Sequence, residues 1–172
     1  MTRCVEDAAM IFEAIQGPDP LWPPTQVHKP VSTLTTLRSG IKGLRIAVLT
    51  GAELQGVDDA TLTAFTDSQK VLKELGADLY DFVVPRPFAD FAGIAGRIIG
   101  AEGYQHVGAI VDGPTLPVDP NVRPRIQQGK EIKAHEYLDA LTEKEAAKEE
   151  FNTAFGDFDA FILPTTETVS YT

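Results

Sequence analysis

Cysteine is nearly absent. Cys4 is the only one in 172 residues, so no internal disulfide can form and a reducing, cytoplasmic setting is expected. Long apolar runs are missing as well: nothing approaches the ~20 consecutive residues a membrane-spanning helix needs. Arg3, Glu6 and Asp7 break up the first stretch, so no signal-peptide block is expected either. Basic charge is in deficit. Fifteen Lys and Arg against twenty-five Asp and Glu leave a net charge of −10, which offers no general basic face for phosphates and argues against nucleic acid as a partner.

The familiar catalytic patterns are missing too. The serines are Ser32, Ser39, Ser68 and Ser170, and none lies in a Gly-x-Ser-x-Gly turn. His28, His106 and His135 are too dispersed for a zinc motif. The loop Thr50 to Gly56 has two glycines after a strand. It lacks both the dinucleotide fingerprint and the phosphate-loop Lys, so a nucleotide-binding strand–helix–strand unit remains only as an alternative.

What is present reads as α/β. Leu44 to Leu49 is a short aliphatic run suited to a strand covered on both faces. Asp58 or Asp59 opens a helix with Leu62, Phe65, Leu72 and Leu75 on one face, and Gly76 closes it. Leu79 to Val84 is the next strand. Two buried strands joined by one helix should lie parallel.

Before this unit, Thr2 to Gln16 reads as a helix with a core-facing stripe of Val5, Ala8, Ala9, Phe12 and Ile15. Residues 17–43 form a Pro-rich connection, expected as a belt with Trp22 tucked in and a short helical turn within Val31 to Ser39.

After the unit, Pro87 to Asp112 reads as a helix whose Gly93, Gly96 and Gly100 suggest another backbone close by. On it Glu102 and His106 stand one turn apart, as an acid–base unit, a local ion pair or a packed polar rim. Asp119-Pro120 opens a short helix, and Arg123 and Arg125 read as an anion site or as surface ion pairs. Ala134 to Phe155 is the longest helix, with Tyr137, Leu138, Leu141, Phe151 and Phe155 on one face and a solvated Glu/Lys face outward. Asp159 to Leu163 is a third strand. The turn Pro164-Thr165-Thr166 leaves its carboxyl end, where ligands of open α/β sheets sit. Three strands fall short of a well-covered sheet, and a helix starting at the first residues suggests part of a larger fold. From the residues alone, a separate α/β binding or regulatory module is the alternative.

The order of several segments resembles the amidase signature family. They are Thr2 to Ala9 with Gly17-Pro18-Asp19-Pro20, Gly43 to Val48 with Leu75-Gly76-Ala77, Asp119 to Arg123 with Arg125-Ile126 and Gly129, and Tyr137-Leu138 with Phe158 to Thr166. The resemblance covers nearly the whole chain and matches the C-terminal portion of such an enzyme.

It implies a partial domain over residues 1–172, within a large mixed, largely parallel sheet flanked by helices. It also implies an amide hydrolase that uses serine, a second serine on a cis peptide, and lysine, with no metal or organic cofactor. None of these catalytic residues maps onto this chain. The lysine and the Gly-Ser-rich loop belong upstream of Thr2, and the family continues beyond Thr166. The resemblance therefore implies a chain cut at both ends, inactive alone, partnered by the missing N-terminal half and serving a small-molecule amide; a homodimer of the full enzyme is compatible with it.

Its candidate substrate contacts, on the acyl side of the cleft, are Arg97, Glu102 and His106 on one helix and Pro164, Thr165 and Thr166 in the last turn. Cys4 stands where the family usually has Ser or Thr, and Leu21-Trp22-Pro23 replaces a more polar stretch. Arg123-Pro124-Arg125-Ile126-Gln127-Gln128-Gly129 departs from the Arg-Arg-Ile-Met-Leu-Gly of transamidosome-type glutaminases and is closer to free-standing amidases.

Overall fold

The computed structural model describes residues 2–113 and 116–168. Its centre is β1 (Arg45–Leu49), flanked by β2 (Asp78–Phe82) and β3 (Ala160–Ile162) in the order β2-β1-β3, all parallel. Ile46, Ala47, Val48 and Leu49 are all buried, as an aliphatic run covered on both faces requires. Ala47 lies opposite Tyr80 on one side and Phe161 on the other. Its small side chain lets Phe82 and Phe161 meet across β1, with ring centroids 5.1 Å apart.

Helix α2 (Asp59–Glu74) links β1 to β2. Asp58 caps it by accepting the Thr61 N–H at 2.7 Å, and Phe65 enters the core. Gly76, at φ +91°, turns the chain out of the helix, a conformation open to glycine and costly for residues with a Cβ. Helix α3 (Phe88–Asp112) then packs on α5 (Ala134–Phe155). The buried seam positions include Ile94, Ala140 and Ala147. Phe151 and Phe155 of α5 join Phe82, Phe158 and Phe161 in an aromatic cluster. Such ring pairs add about 0.5–1.5 kcal/mol each beyond area burial.

Between α3 and α5 lie α4 (Val122–Gln127) and a 3-10 turn (Gln128–Glu131). Helix α4 starts at Val122, two residues beyond the Asp119-Pro120 signal. Asp119 instead accepts the Asn121 N–H at 2.7 Å and organises the turn before the helix.

Several expectations need correction. Trp22 is 61% exposed; the Pro-dense loop forms a 3-10 turn (Pro23–Thr25) that projects the indole rather than laying it on the body. Val31 to Ser39 contains turns but no helix. Strand β2 is not covered on both faces. It is an edge strand with Asp78 and Asp81 exposed, and Leu75, at the end of the expected helix stripe, is exposed as well.

Helix α1 (Val5–Ile15) buries only Ala9, while Val5, Phe12 and Ile15 face outward. It makes no substantial packing contact with another helix or strand among the described residues. Polar clips hold it to the following loop instead. Glu13 accepts the Leu34 N–H at 2.8 Å and the Ser32 and Thr33 hydroxyls at 3.2 Å, and the Gln16 carboxamide pairs both ways with Val31. The close backbone approach is real at Gly100, which faces Gly129 and Ile132. It is absent at Gly93 and Gly96, which have open space beside them.

Candidate functional site

The predicted residues fall in two places. The first is the carboxyl end of the sheet. Thr50 leaves β1 and hydrogen-bonds through its N–H (3.0 Å) and hydroxyl (3.3 Å) to the Phe82 carbonyl. The Glu167 carbonyl accepts the Asp58 N–H at 2.8 Å, which ties the segment after β3 to the start of α2. Pro164 is half-buried there, and Thr165 and Thr166 are exposed on the rim. The Thr166 hydroxyl donates to the Thr168 carbonyl at 2.7 Å, so this threonine shapes its own turn.

The second place is the α3–α5 seam. The Arg97 guanidinium is ion-paired with Glu143, and its Nε is buried without a hydrogen-bond partner among the described residues. One turn and a half further on, Glu102 Oε1 accepts the Tyr137 hydroxyl at 2.8 Å. That hydrogen bond to Glu102 holds the phenol above its ordinary pKa, because ionising it would give up the bond; desolvation and the carboxylate's charge act in the same direction. No hydrogen bond or ion pair joins Glu102 to His106 among the described residues, and His106 lies exposed. Neither an acid–base unit nor a local ion pair forms there. Nothing described joins the seam residues to Pro164–Thr166, so the two groups do not converge on one point.

Glu102 and Tyr137 border a cavity of 420 Å³ that is completed by Ala101, Gln105, Ile132 and Ala134. Tyr137 read as part of an apolar helix face, and no sequence signal linked it to a carboxylate 35 residues earlier. Ile132 reaches the cavity because Gly129 sits directly on Gly100.

Arg123, on the short helix, takes neither of the roles expected for it. Its guanidinium donates to the carbonyls of Val111, Gly113 and Leu116, which caps the end of α3. Next to it Asp112 accepts from Tyr104 (2.6 Å), Gln127 (3.0 Å) and Lys130 (3.4 Å). Those partners, Tyr104 first, hold its carboxyl below the usual range. This network locks α4 and the 3-10 turn to α3. On the sheet side of the seam, Arg86 grips Glu150 with two bonds of 3.0 and 2.6 Å.

Ser32 and Ser68 donate their hydroxyls to Glu13 and to the Phe65 carbonyl. Cys4 is exposed at the start of α1 and supplies no side-chain cap, the weakness expected from a thiol in place of Ser or Thr. Among the described residues no three His, Cys, Asp or Glu side chains gather as metal ligands, and no helix is long and apolar enough to cross a membrane.

Compared with known proteins, residues 1–172 match the Amidase family along their whole length. The chain belongs to the amidase family. Relatives of this amidase-family chain include the glutamyl-tRNA(Gln) amidotransferase component, of the A type, from Streptomyces coelicolor. It is 28% identical over 197 residues, covering 98% of this chain and 39% of the relative. An amidase of Pseudomonas putida is 28% identical over 166 residues, covering 96% and 35%. The chain thus spans less than half the length of these curated relatives.

Among solved structures, a chain from a vestigial protein complex bearing on the origins of an s-triazine catabolic enzyme superposes with a TM-score of 0.76. It is 26% identical, over 90% of this chain and 33% of its own. A bacterial aryl acylamidase of the amidase signature enzymes gives 0.74 at 18% identity, over 92% and 35%, and shows the shared fold. A small parallel sheet flanked by helices is therefore amidase signature architecture.

Proposed function

We propose that this chain forms scaffold and one cleft wall of an amide hydrolase acting on small-molecule amides in the cytoplasm, and that the reacting groups come from polypeptide outside these residues. The family match over residues 1–172 carries the reading. Its support in the fold is the pair of edges, β2 and β3, left open among the described residues, which an extended sheet would continue. Ser32 and Ser68 spend their hydroxyls on a loop clip and a helix carbonyl, which fits a scaffold role. Of the candidate contacts, Pro164, Thr165 and Thr166 stand at the sheet end where a cleft would open, and Arg97, Glu102 and His106 stand on the flanking helix.

A free-standing amidase is the better comparison than an amidotransferase component. The alignment to the Pseudomonas putida amidase spans 166 residues for 96% of the chain, close to one for one. That to the Streptomyces coelicolor protein needs 197 residues for 98%.

A chimera tests this. These residues replace the matching segment of the Pseudomonas putida amidase, and amine release from a panel of small amides is measured for the chimera and for the 172-residue chain. Activity in the chimera and none in the chain alone is expected. Turnover by the chain alone, or a folded but inactive chimera, overturns the reading.

A further inference from the structure

The cavity between α3, the Gln128–Glu131 turn and α5 has the makings of a binding site in its own right. Its volume of 420 Å³ lies in the range of small-ligand pockets. Its walls are unequal. Ala101, Ile132 and Ala134 supply hydrocarbon, Gln105 a carboxamide, Tyr137 a phenol, and Glu102 the one formal charge.

Of the nearby cations, Arg97 pairs with Glu143 and Lys130 with Asp112 and the Tyr104 ring, and Lys133, between Ile132 and Ala134, makes no ion pair with Glu102 among the described residues. The Tyr137 hydroxyl gives Glu102 one neutral hydrogen bond, at 2.8 Å, which orients the carboxylate and leaves its charge in place. A carboxylate has several acceptor directions, so further donors can approach it. The pocket is held open by backbone: Gly129 rests on Gly100, and that contact fixes Ile132 as the far wall. A chain of net charge −10 favours a cationic visitor over an anionic one.

We propose that this cavity binds a small primary amine in its ammonium form, with the ammonium on Glu102 and the hydrocarbon against Ala101, Ile132 and Ala134. The assignment does not depend on the hydrolase reading, because every group it needs belongs to this chain. An amine is also what breaking an amide C–N bond releases, so in a working hydrolase the pocket would serve as a holding site for that product class.

Titration of the full 172-residue chain, followed by amide chemical shifts, tests the site. Benzylamine is the probe, with benzyl alcohol and phenylacetate as the neutral and anionic controls. Saturable shifts centred on residues 101–105 and 132–137 are expected with benzylamine only. Glu102→Gln should weaken binding about tenfold, equivalent to about 1.4 kcal/mol. Ala134→Trp should block the cavity and abolish the shifts while Glu102 stays intact, and both variants should keep the parent's spectral dispersion. Equal response to benzyl alcohol, unchanged affinity in Glu102→Gln, shifts centred elsewhere, or no saturation across a roughly millimolar range of benzylamine would overturn the assignment.

Discussion

At the level of single residues, the tightest of the described glycine positions is the Gly100–Gly129 contact. A Cβ on Gly129 would overlap the Gly100 carbonyl and come within 2.8 Å of Tyr104 Cβ, and backbone cannot step aside as a side-chain tip can. Gly129→Ala should therefore lower unfolding stability by about 1–3 kcal/mol, read from urea melts. Gly96→Ala is the contrasting case. Nothing lies within 4 Å of its would-be Cβ and it sits inside α3, so the change should stabilise by about 1 kcal/mol. If both glycines responded alike, helix propensity rather than contact would govern the pair. Arg123→Met should cost about 1.5–3 kcal/mol in the same assay, since the carbonyls of Val111, Gly113 and Leu116 lose a charged donor. These roles were not legible in the sequence. The Gly-x-x-Gly spacing signalled a close approach without saying which glycine made it, and Arg123 looked like a ligand for something outside the chain because carbonyl acceptors leave no mark in a side-chain code.

At the level of elements, legibility followed burial. β1, α2, α3 and α5 were readable within a few residues because one apolar stripe or run, a capping Asp58 and a closing Gly76 or Gly156 all agree. β2 misled because Leu79, Phe82 and Val84 suggest burial, while Asp78 and Asp81 belong to an edge that must stay soluble. α1 misled for a related reason: its stripe is apolar, but the surface it would cover is not among the described residues, and side-chain clips hold the helix in its place. Glu13 is the main clip. The Leu34 N–H, then the Thr33 and Ser32 hydroxyls, favour the charged carboxylate and hold its pKa below the ordinary glutamate range. A folded-state pKa lowered in this way gives stabilisation that is present above the unfolded value and is lost as pH falls through the folded one. The protection factors of residues 5–16, each rate taken against the intrinsic rate at the same pH, should therefore be high at neutral pH and fall in acid. Glu13→Gln should show the low protection at neutral pH already, with the β1–α2–β2 unit unchanged. Protection in α1 that ignores both acid and the substitution would mean the clip does not hold the helix.

At the level of the whole molecule, the two sheet edges differ in how they meet another chain. β2 carries Asp78 and Asp81, a pair of charges that discourages strand pairing; β3 is Ala160-Phe161-Ile162, with none. Backbone groups of β3 that do not bond β1 lie on its open side, so the adhesive edge of this chain is a short ribbon beside an aromatic core. Ala160→Lys sets a charge on that edge, and the long lysine stem can carry the charge into water. Sedimentation velocity on the isolated chain should show concentration-dependent association, reduced several-fold in Ala160→Lys with the unfolding midpoint little changed. Asp81→Asn should act in the opposite direction by making the β2 edge adhesive too. Association that persists unchanged in Ala160→Lys would move the contact away from β3, and the uncovered stripe of α1 would then be the surface that joins the copies.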